Sequence, residues 1–163
     1  MSTFAPQIKT IPPKTLVGKR LTMSFAHNRT FELFSSFMPR RKEIENRLGE
    51  DIYCVQVYPS MQGFTDFKPE LEFEKWAAVE VSSTHPIPDG MEILQMTGGL
   101  YAVFLHQGPA TDLSTFEFIF KTWLPASNYL LDQREHFEIL GAKYKNNSPE
   151  SEEEIWIPVI RKP

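Results

Sequence analysis

The chain has 163 residues, 41% of them hydrophobic and 23% charged, which suits one globular domain with an apolar core, residues 1–163, and leaves no room for a second of ordinary size. Its formal charge is −4, and the one basic cluster, Arg40, Arg41 and Lys42, is followed at once by Glu43 and Glu45, so no direct nucleic-acid partner is expected. Apolar runs such as Leu100–Leu105 fall far short of the roughly 18 to 20 residues that cross a bilayer, so no membrane passage is expected either.

Reading from the N-terminus, MSTFAPQIKTIPPKT is a Pro-rich opening with no basic flank ahead of an apolar core. No secretory signal is read there, and a cytoplasmic location is the expectation. KTLVGKRLTMS alternates and is rich in β-formers, which predicts a strand over Thr15 to Ser24. Asn28 is placed to cap a helix from about Arg29 to Leu48, ended by Gly49, with Leu33, Phe37, Ile44 and Leu48 at helical spacing. DIYCVQVY (Asp51–Tyr58) and LEFEKWAAVEV (Leu71–Val81) read as strands separated by a loop through Ser60 to Pro69.

The turn HPIPDG (His85–Gly90) precedes a short strand at Met91–Met96 and a longer one at Gly99–His106. Ser114 with Glu117 three residues on forms a capping box, opening a helix that places Phe116, Ile119, Phe120 and Trp123 on one face and stops near Pro125. HFEILGAKY (His136–Tyr144) and EIWIPVI (Glu154–Ile160) read as the last two strands. The acidic run ESEEE, Glu150 to Glu154, is expected to be a solvated loop before the final strand.

The order is therefore strand-helix-strand-strand, twice. TFELFSSFMP (Thr30–Pro39) and TFEFIFKTWLP (Thr115–Pro125) occupy matching places in the two halves, which points to an internal duplication of about residues 14–82 and 98–160. The expected fold is α+β, an antiparallel sheet with two main helices, whose copies meet at a pseudo-twofold axis and leave a central groove. Grooves between packed halves are common small-molecule sites.

The second half, GGLYAVFLHQGPATDLSTFEFIFKTWLPAS with REHFEILGAKY and SEEEIWIPV, resembles the GyrI-like small-molecule-binding family, the effector-binding domain of AraC-type and MerR-type multidrug regulators. The segments that carry the resemblance are Gly99 through Gly108, Trp123-Leu124-Pro125, Phe137-Glu138 and Ile157-Pro158-Val159, with Trp76 in FEKWAAVEV as a first-half counterpart. The resemblance implies a central pocket, lined by aromatics around a buried glutamate, for hydrophobic and often cationic compounds. By position that glutamate is Glu138. Only about a dozen Pro-rich residues come before the first strand, with no helix-turn-helix among them, so a stand-alone binding domain is expected.

In HFEILGAKY, Phe137 and Ile139 share one strand face, so Glu138 lies on the other with His136 and Leu140. Cys54 in Tyr53-Cys54-Val55 is the approximate first-half counterpart of Glu138. A carboxylate among aromatics attracts an organic cation through charge and ring faces, and the cation offsets its desolvation. Pairing of Glu138 with Arg134 or Lys143 at a sheet edge is the structural alternative. Tyr53, Trp76, Tyr101, Trp123 and Trp156 are the candidate pocket walls, although aromatics at such spacing more often form core.

The single cysteine, Cys54, excludes a disulfide framework and reads as a buried small hydrophobe. His27, His85, His106 and His136 lack metal-ligand spacing, and Gly98-Gly99 is no phosphate loop. No cofactor and no metal are expected. Binding of an amphipathic, cationic small molecule ranks first. Hydrolysis of cyclopropane-bearing genotoxins by Glu138 with Tyr101 or Tyr53, to which the family resemblance extends, ranks second. A protein-interaction role of the gyrase-modulating kind ranks third.

Overall fold

The computed structural model describes residues 5–61, 64 and 66–163. Nine strands among them pair antiparallel throughout: β1 (Gln7–Ile11), β2 (Lys14–Met23), β3 (Ile52–Val57), β4 (Phe73–Glu80), β5 (Glu92–Met96), β6 (Gly99–Gln107), β7 (Tyr129–Leu131), β8 (His136–Leu140) and β9 (Glu152–Arg161). The spatial order is β1-β6-β9-β8-β3-β4-β2-β5, with β7 pairing β9 beside this path. Two helices complete an α+β fold: α1 (Thr30–Phe37) and α2 (Ser114–Phe118). Either side of the sheet centre the order is mirrored, β6-β9-β8 against β3-β4-β2. In each set the strand before the helix is outermost and the strand after it is innermost.

Register fixes which side chains share a face, because directly paired residues of an antiparallel sheet point the same way. Ala77 pairs with Cys54, Cys54 with Glu138, and Glu138 with Ile155. Ala77 packs with Leu33 and Phe37 of α1, whereas Ile155 packs with Ile119, Phe116 and Phe120 of the α2 segment. Both helices therefore cover one face, with Cys54 and Glu138 between them. The other face carries Tyr53, Val55, Trp76, Tyr101, Phe137 and Trp156 as a second core. Ile11 and Leu94, from the two opposite edge strands, pack on that same core, which requires the sheet to curl onto it.

Gly18 lets β2 make this bend, since a Cβ there would collide with the Ala77 carbonyl and with Ala78. Gly98 and Gly99 both adopt positive φ, 77° and 110°, in the tight link from β5 to β6.

The helices differ from their expected forms. The single helix over Arg29–Leu48 is cut short: α1 gives way to a 3₁₀ turn at Met38–Glu43, and Ile44 is already extended. Pro39 explains the cut, because it supplies no N–H to continue the ladder. Leu48, at helical spacing in the sequence, is 59% exposed. Asn28 does serve the N-terminus, its Oδ1 accepting from the Thr30 N–H at 2.9 Å.

The second helix continues from α2 through a π turn at Ile119–Trp123 and a last helical turn at Leu124–Ala126. Its capping box does not form. Asp112 Oδ1 accepts from the Ser114 N–H at 3.0 Å, in place of the Ser114–Glu117 box. Strands β1 and β7 were not expected from the sequence. Both are short, and β1 is hemmed by Pro6, Pro12 and Pro13 at a sheet edge where proline is tolerated.

Candidate functional site

The two helices leave between them a strip of sheet whose side chains are polar, which a protein interior does not tolerate without a reason. Four central strands supply it: Cys54 and Gln56 from β3, Lys75 from β4, His136 and Glu138 from β8, and Glu153 from β9. Alternation places each of them on the helix-covered face, because their strand neighbours Val55, Trp76, Phe137 and Trp156 belong to the opposite core.

Glu138 lies at the middle of this strip. Its Oε1 accepts from Gln56 Nε2 at 3.2 Å, and the same amide lies 3.4 Å from Cys54 Sγ. Burial raises the Glu138 carboxyl to about 7, opposed by the charge of Lys75 and the hydrogen bond from Gln56. The side chain is deep yet retains some accessible surface, so it is within reach of an incoming group. The alternative of pairing with Arg134 or Lys143 is not realised. Arg134 donates to the carbonyls of Gly98 and Leu100, both at 2.6 Å, and Lys143 lies 3.8 Å from Glu152.

Neighbouring groups are pushed toward their uncharged forms. Burial lowers His136 to about 3, with Arg134 adding to the effect, so its ring is neutral. Burial, then the charge of Glu138, pushes the Cys54 thiol and the Tyr58 hydroxyl up. Cys54 is therefore an inert thiol at neutral pH. Glu153 is 7% exposed and is raised to about 7, first by burial and then by Glu138, with His106 and Lys75 opposing.

Aromatic rings close the outer end of the strip. Phe64 stacks on His136 with centroids 5.2 Å apart and an interplanar angle of 4°, and Tyr58 meets the same imidazole edge-on at 4.9 Å. Phe120, from the π turn, lies 5.6 Å from Phe64. Two shallow surface depressions lie elsewhere, one among residues 42–50 and one beside Thr97 and Arg161. Neither contains a group with chemistry comparable to that at Glu138.

Of the residues expected to line a pocket with Glu138, Tyr53, Trp76, Tyr101 and Trp156 lie across the sheet from it. Their polar atoms are engaged there. Tyr101 Oη donates to the Glu135 carbonyl at 2.8 Å, Tyr53 Oη approaches Glu80 at 3.4 Å, and the indoles of Trp76 and Trp156 donate to Glu74 at 2.6 Å and Glu154 at 3.0 Å. The correction is one of parity: Tyr53 adjoins Cys54 in sequence, so it must point the other way. Trp123 is on the helix-covered face but packs between Phe104 and Tyr129 at the far side of the second helix. A hydrolytic pair of Glu138 with Tyr101 or Tyr53 is therefore not assembled.

Gln56, Tyr58, Phe64, Lys75, Phe120 and Glu153 are the residues of this candidate site that sequence reasoning passed over. Glu153 was expected in a solvated acidic loop. It lies instead inside β9, on the same face as Ile155, Ile157 and Val159, a parity that the alternation of EEEIWIPV carries. Cys54 pairs directly with Glu138 across β3 and β8.

Among the described residues, no helix is long and apolar enough to cross a membrane, and no group of three potential ligands could hold a metal ion.

Comparison with known proteins gives a consistent result. The model of the GyrI-like small molecule binding domain matches residues 4–160. The transcriptional regulator BrlR of Pseudomonas aeruginosa is 26% identical over 153 residues, which cover 91% of this chain and 53% of BrlR. The chain thus spans about half the length of that relative. Among solved structures, SAV2435 bound to tetraphenylphosphonium superposes with a TM-score of 0.67 at 16% identity, over 96% of this chain and 94% of that one. A hydrolase from Listeria innocua superposes with a TM-score of 0.61 at 12% identity, over 98% and 93%.

Proposed function

The chain belongs to the GyrI-like small molecule binding family, and from that premise we propose that it binds a hydrophobic organic cation in the groove between its two helices, with Glu138 as the anchoring carboxylate. The observation that carries this reading is a carboxyl group on the sheet strip between the two helices, held by the Gln56 amide at 3.2 Å and still partly accessible, with the ring cluster of Tyr58, Phe64 and His136 next along the same face. Such a group loses hydration without gaining a full ion pair, and a cation that sheds its own water on entry restores the balance. The walls are Tyr58, Phe64, Phe120 and His136 rather than the tryptophans, and their ring faces suit a delocalised positive charge. Tetraphenylphosphonium, the compound in the SAV2435 structure, is of this class.

The groove is read as the junction of two copies of one unit, residues 14–82 and 98–160, related by a pseudo-twofold axis passing between β3 and β8. The mirrored strand orders support this, as does the pairing of Cys54 with Glu138 across the centre. The asymmetry within that pair gives the central position one carboxylate where perfect symmetry would give two.

Calorimetric titration with tetraphenylphosphonium and with the neutral triphenylphosphine oxide tests the reading. Saturable binding that favours the cation is expected. No binding of either compound, or equal binding of both, overturns it. A second reading, hydrolysis of a strained cyclopropane-bearing compound, draws on the same carboxyl, because a group poised near 7 can give or take a proton at neutral pH. Tyr58, close enough to sense the charge of Glu138, takes the place of the two tyrosines on the far face. Product formation that disappears in Glu138→Gln would favour it, and saturable binding without product would leave binding alone.

A further inference from the structure

Two acids, Glu138 and Glu153, stand on the helix-covered strip, and the second is the less well compensated. Glu153 pairs with His106 across β6 and β9, and its strand neighbour on the same face, Ile155, pairs with Glu138. The two acids thus stand diagonally on adjacent strands, within reach of each other's charge. Glu138 has the Gln56 amide. Glu153, at 7% exposure, has no hydrogen bond and no ion pair among the described residues. Its oxygens are not among the fully buried unpartnered polar atoms of the described residues, so they keep some accessible surface on which an arriving group can meet them.

Each neighbouring strand adds further groups to this strip. From β3 comes the neutral Cys54 thiol, and from β8 the neutral His136 ring. His106 of β6 is held between Thr115 Oγ1 at 2.8 Å and the Pro109 carbonyl at 3.0 Å. Tyr144, beyond β8, is pushed up by burial and stays neutral. From β4 comes Lys75, the fixed cation of this strip among the described residues, whose Nζ donates to Thr30 Oγ1 at 2.9 Å at the start of α1. It forms no contact ion pair with either acid.

Two carboxylates against one ammonium leave a single uncompensated negative charge. We propose that the groove takes a ligand carrying one positive charge: Glu153 is the second anionic contact beside Glu138, and Lys75 is the specificity residue that excludes dications. This rests on the cation-binding reading and adds to it which acid carries the excess charge and which residue fixes the ligand's valence. Both acids are ionised for the most part at pH 8, above the value of about 7 to which burial lifts each of them.

Ethidium and propidium test this directly, because they share one phenanthridinium ring system and differ by a second, quaternary charge on the propidium side chain. At pH 8 the wild-type protein should bind ethidium at least about tenfold more tightly than propidium. Glu153→Gln brings the groove to neutrality and should weaken ethidium by about tenfold or more. Lys75→Met keeps the aliphatic stem, raises the excess to two negative charges and should move the preference toward propidium by about tenfold. Circular dichroism and melting temperature verify that each variant is folded. If Lys75→Met leaves the ethidium-to-propidium ratio unchanged, the valence rule is wrong. Ethidium binding that survives Glu153→Gln but is lost in Glu138→Gln removes Glu153 while sparing the cation reading. If wild type binds neither dye nor tetraphenylphosphonium, that reading itself fails.

Discussion

The two faces of the central sheet are built from alternate residues of the same strands, yet they have opposite chemistry. Tyr53, Val55, Trp76, Phe137 and Trp156 on one face form an apolar core in which the rings of Phe137 and Trp156 stack at 5.1 Å and Tyr101 meets Phe137 edge-on at 5.2 Å. Cys54, Gln56, Lys75, Glu138 and Glu153 on the other lie under the gap between the helices. Large aromatic residues are concentrated on the first of these faces. The site is marked instead by groups that would be expensive in a core, above all by two acids lifted to about 7.

The contrast can be broken by exchanging demands between the faces. The largest effect is expected on the apolar side: Phe137, fully buried and in contact with three aromatic rings, should cost about 3–5 kcal/mol of stability when changed to Ala. Denaturant unfolding measures this, and a loss below about 1 kcal/mol would mean that the second core is not close-packed.

On the polar side the sign reverses. Glu138 and Glu153 are raised from 4.5 to about 7 in the folded protein, so the folded state holds protons that the unfolded chain releases in that window. The stability this contributes is fully present below 4.5 and is lost as pH rises through 7. Glu138→Gln removes one such group and should stabilise the empty protein by roughly 2 kcal/mol at pH 8, with no gain near pH 4. Melting curves at the two values check it, and equal shifts at both would remove burial of the charge as the cause. The smallest effect belongs to Trp76→Phe, which lies across the sheet from the groove. It should change affinity for tetraphenylphosphonium by less than about 0.5 kcal/mol in calorimetric titration, because its indole packs in the core on the opposite face. A larger loss would place the ligand on the wrong face in this account.

Much of the fold was legible in the sequence because period and punctuation agree over most of the chain. Seven of the strands fall where alternation and turn residues put them, and the place of Glu138 follows from the parity of Phe137 and Ile139. The errors share a physical origin in neighbours that local patterns do not register. Pro39 outweighs a helical spacing that continues to Leu48, and Asp112 takes the capping role offered by Ser114. ESEEE reads as a solvated loop until β6 and β8 pair on either side of β9 and bury Glu153. The aromatic pocket walls were misplaced because residue type was given more weight than parity, although Tyr53 and Cys54 could never have shared a face.

The central claim is that Glu138 selects for positive charge. Its most direct test measures the affinities of tetraphenylphosphonium and triphenylphosphine oxide for wild type and for Glu138→Gln at pH 8. The substitution retains size and a hydrogen-bond acceptor while removing the charge. Because Glu138 keeps some accessible surface, the cation should lose about 2 kcal/mol, near the low end for a desolvated charge pair, while the neutral compound changes by less than about 0.5 kcal/mol. An unchanged cation-over-neutral preference in the variant would contradict the claim.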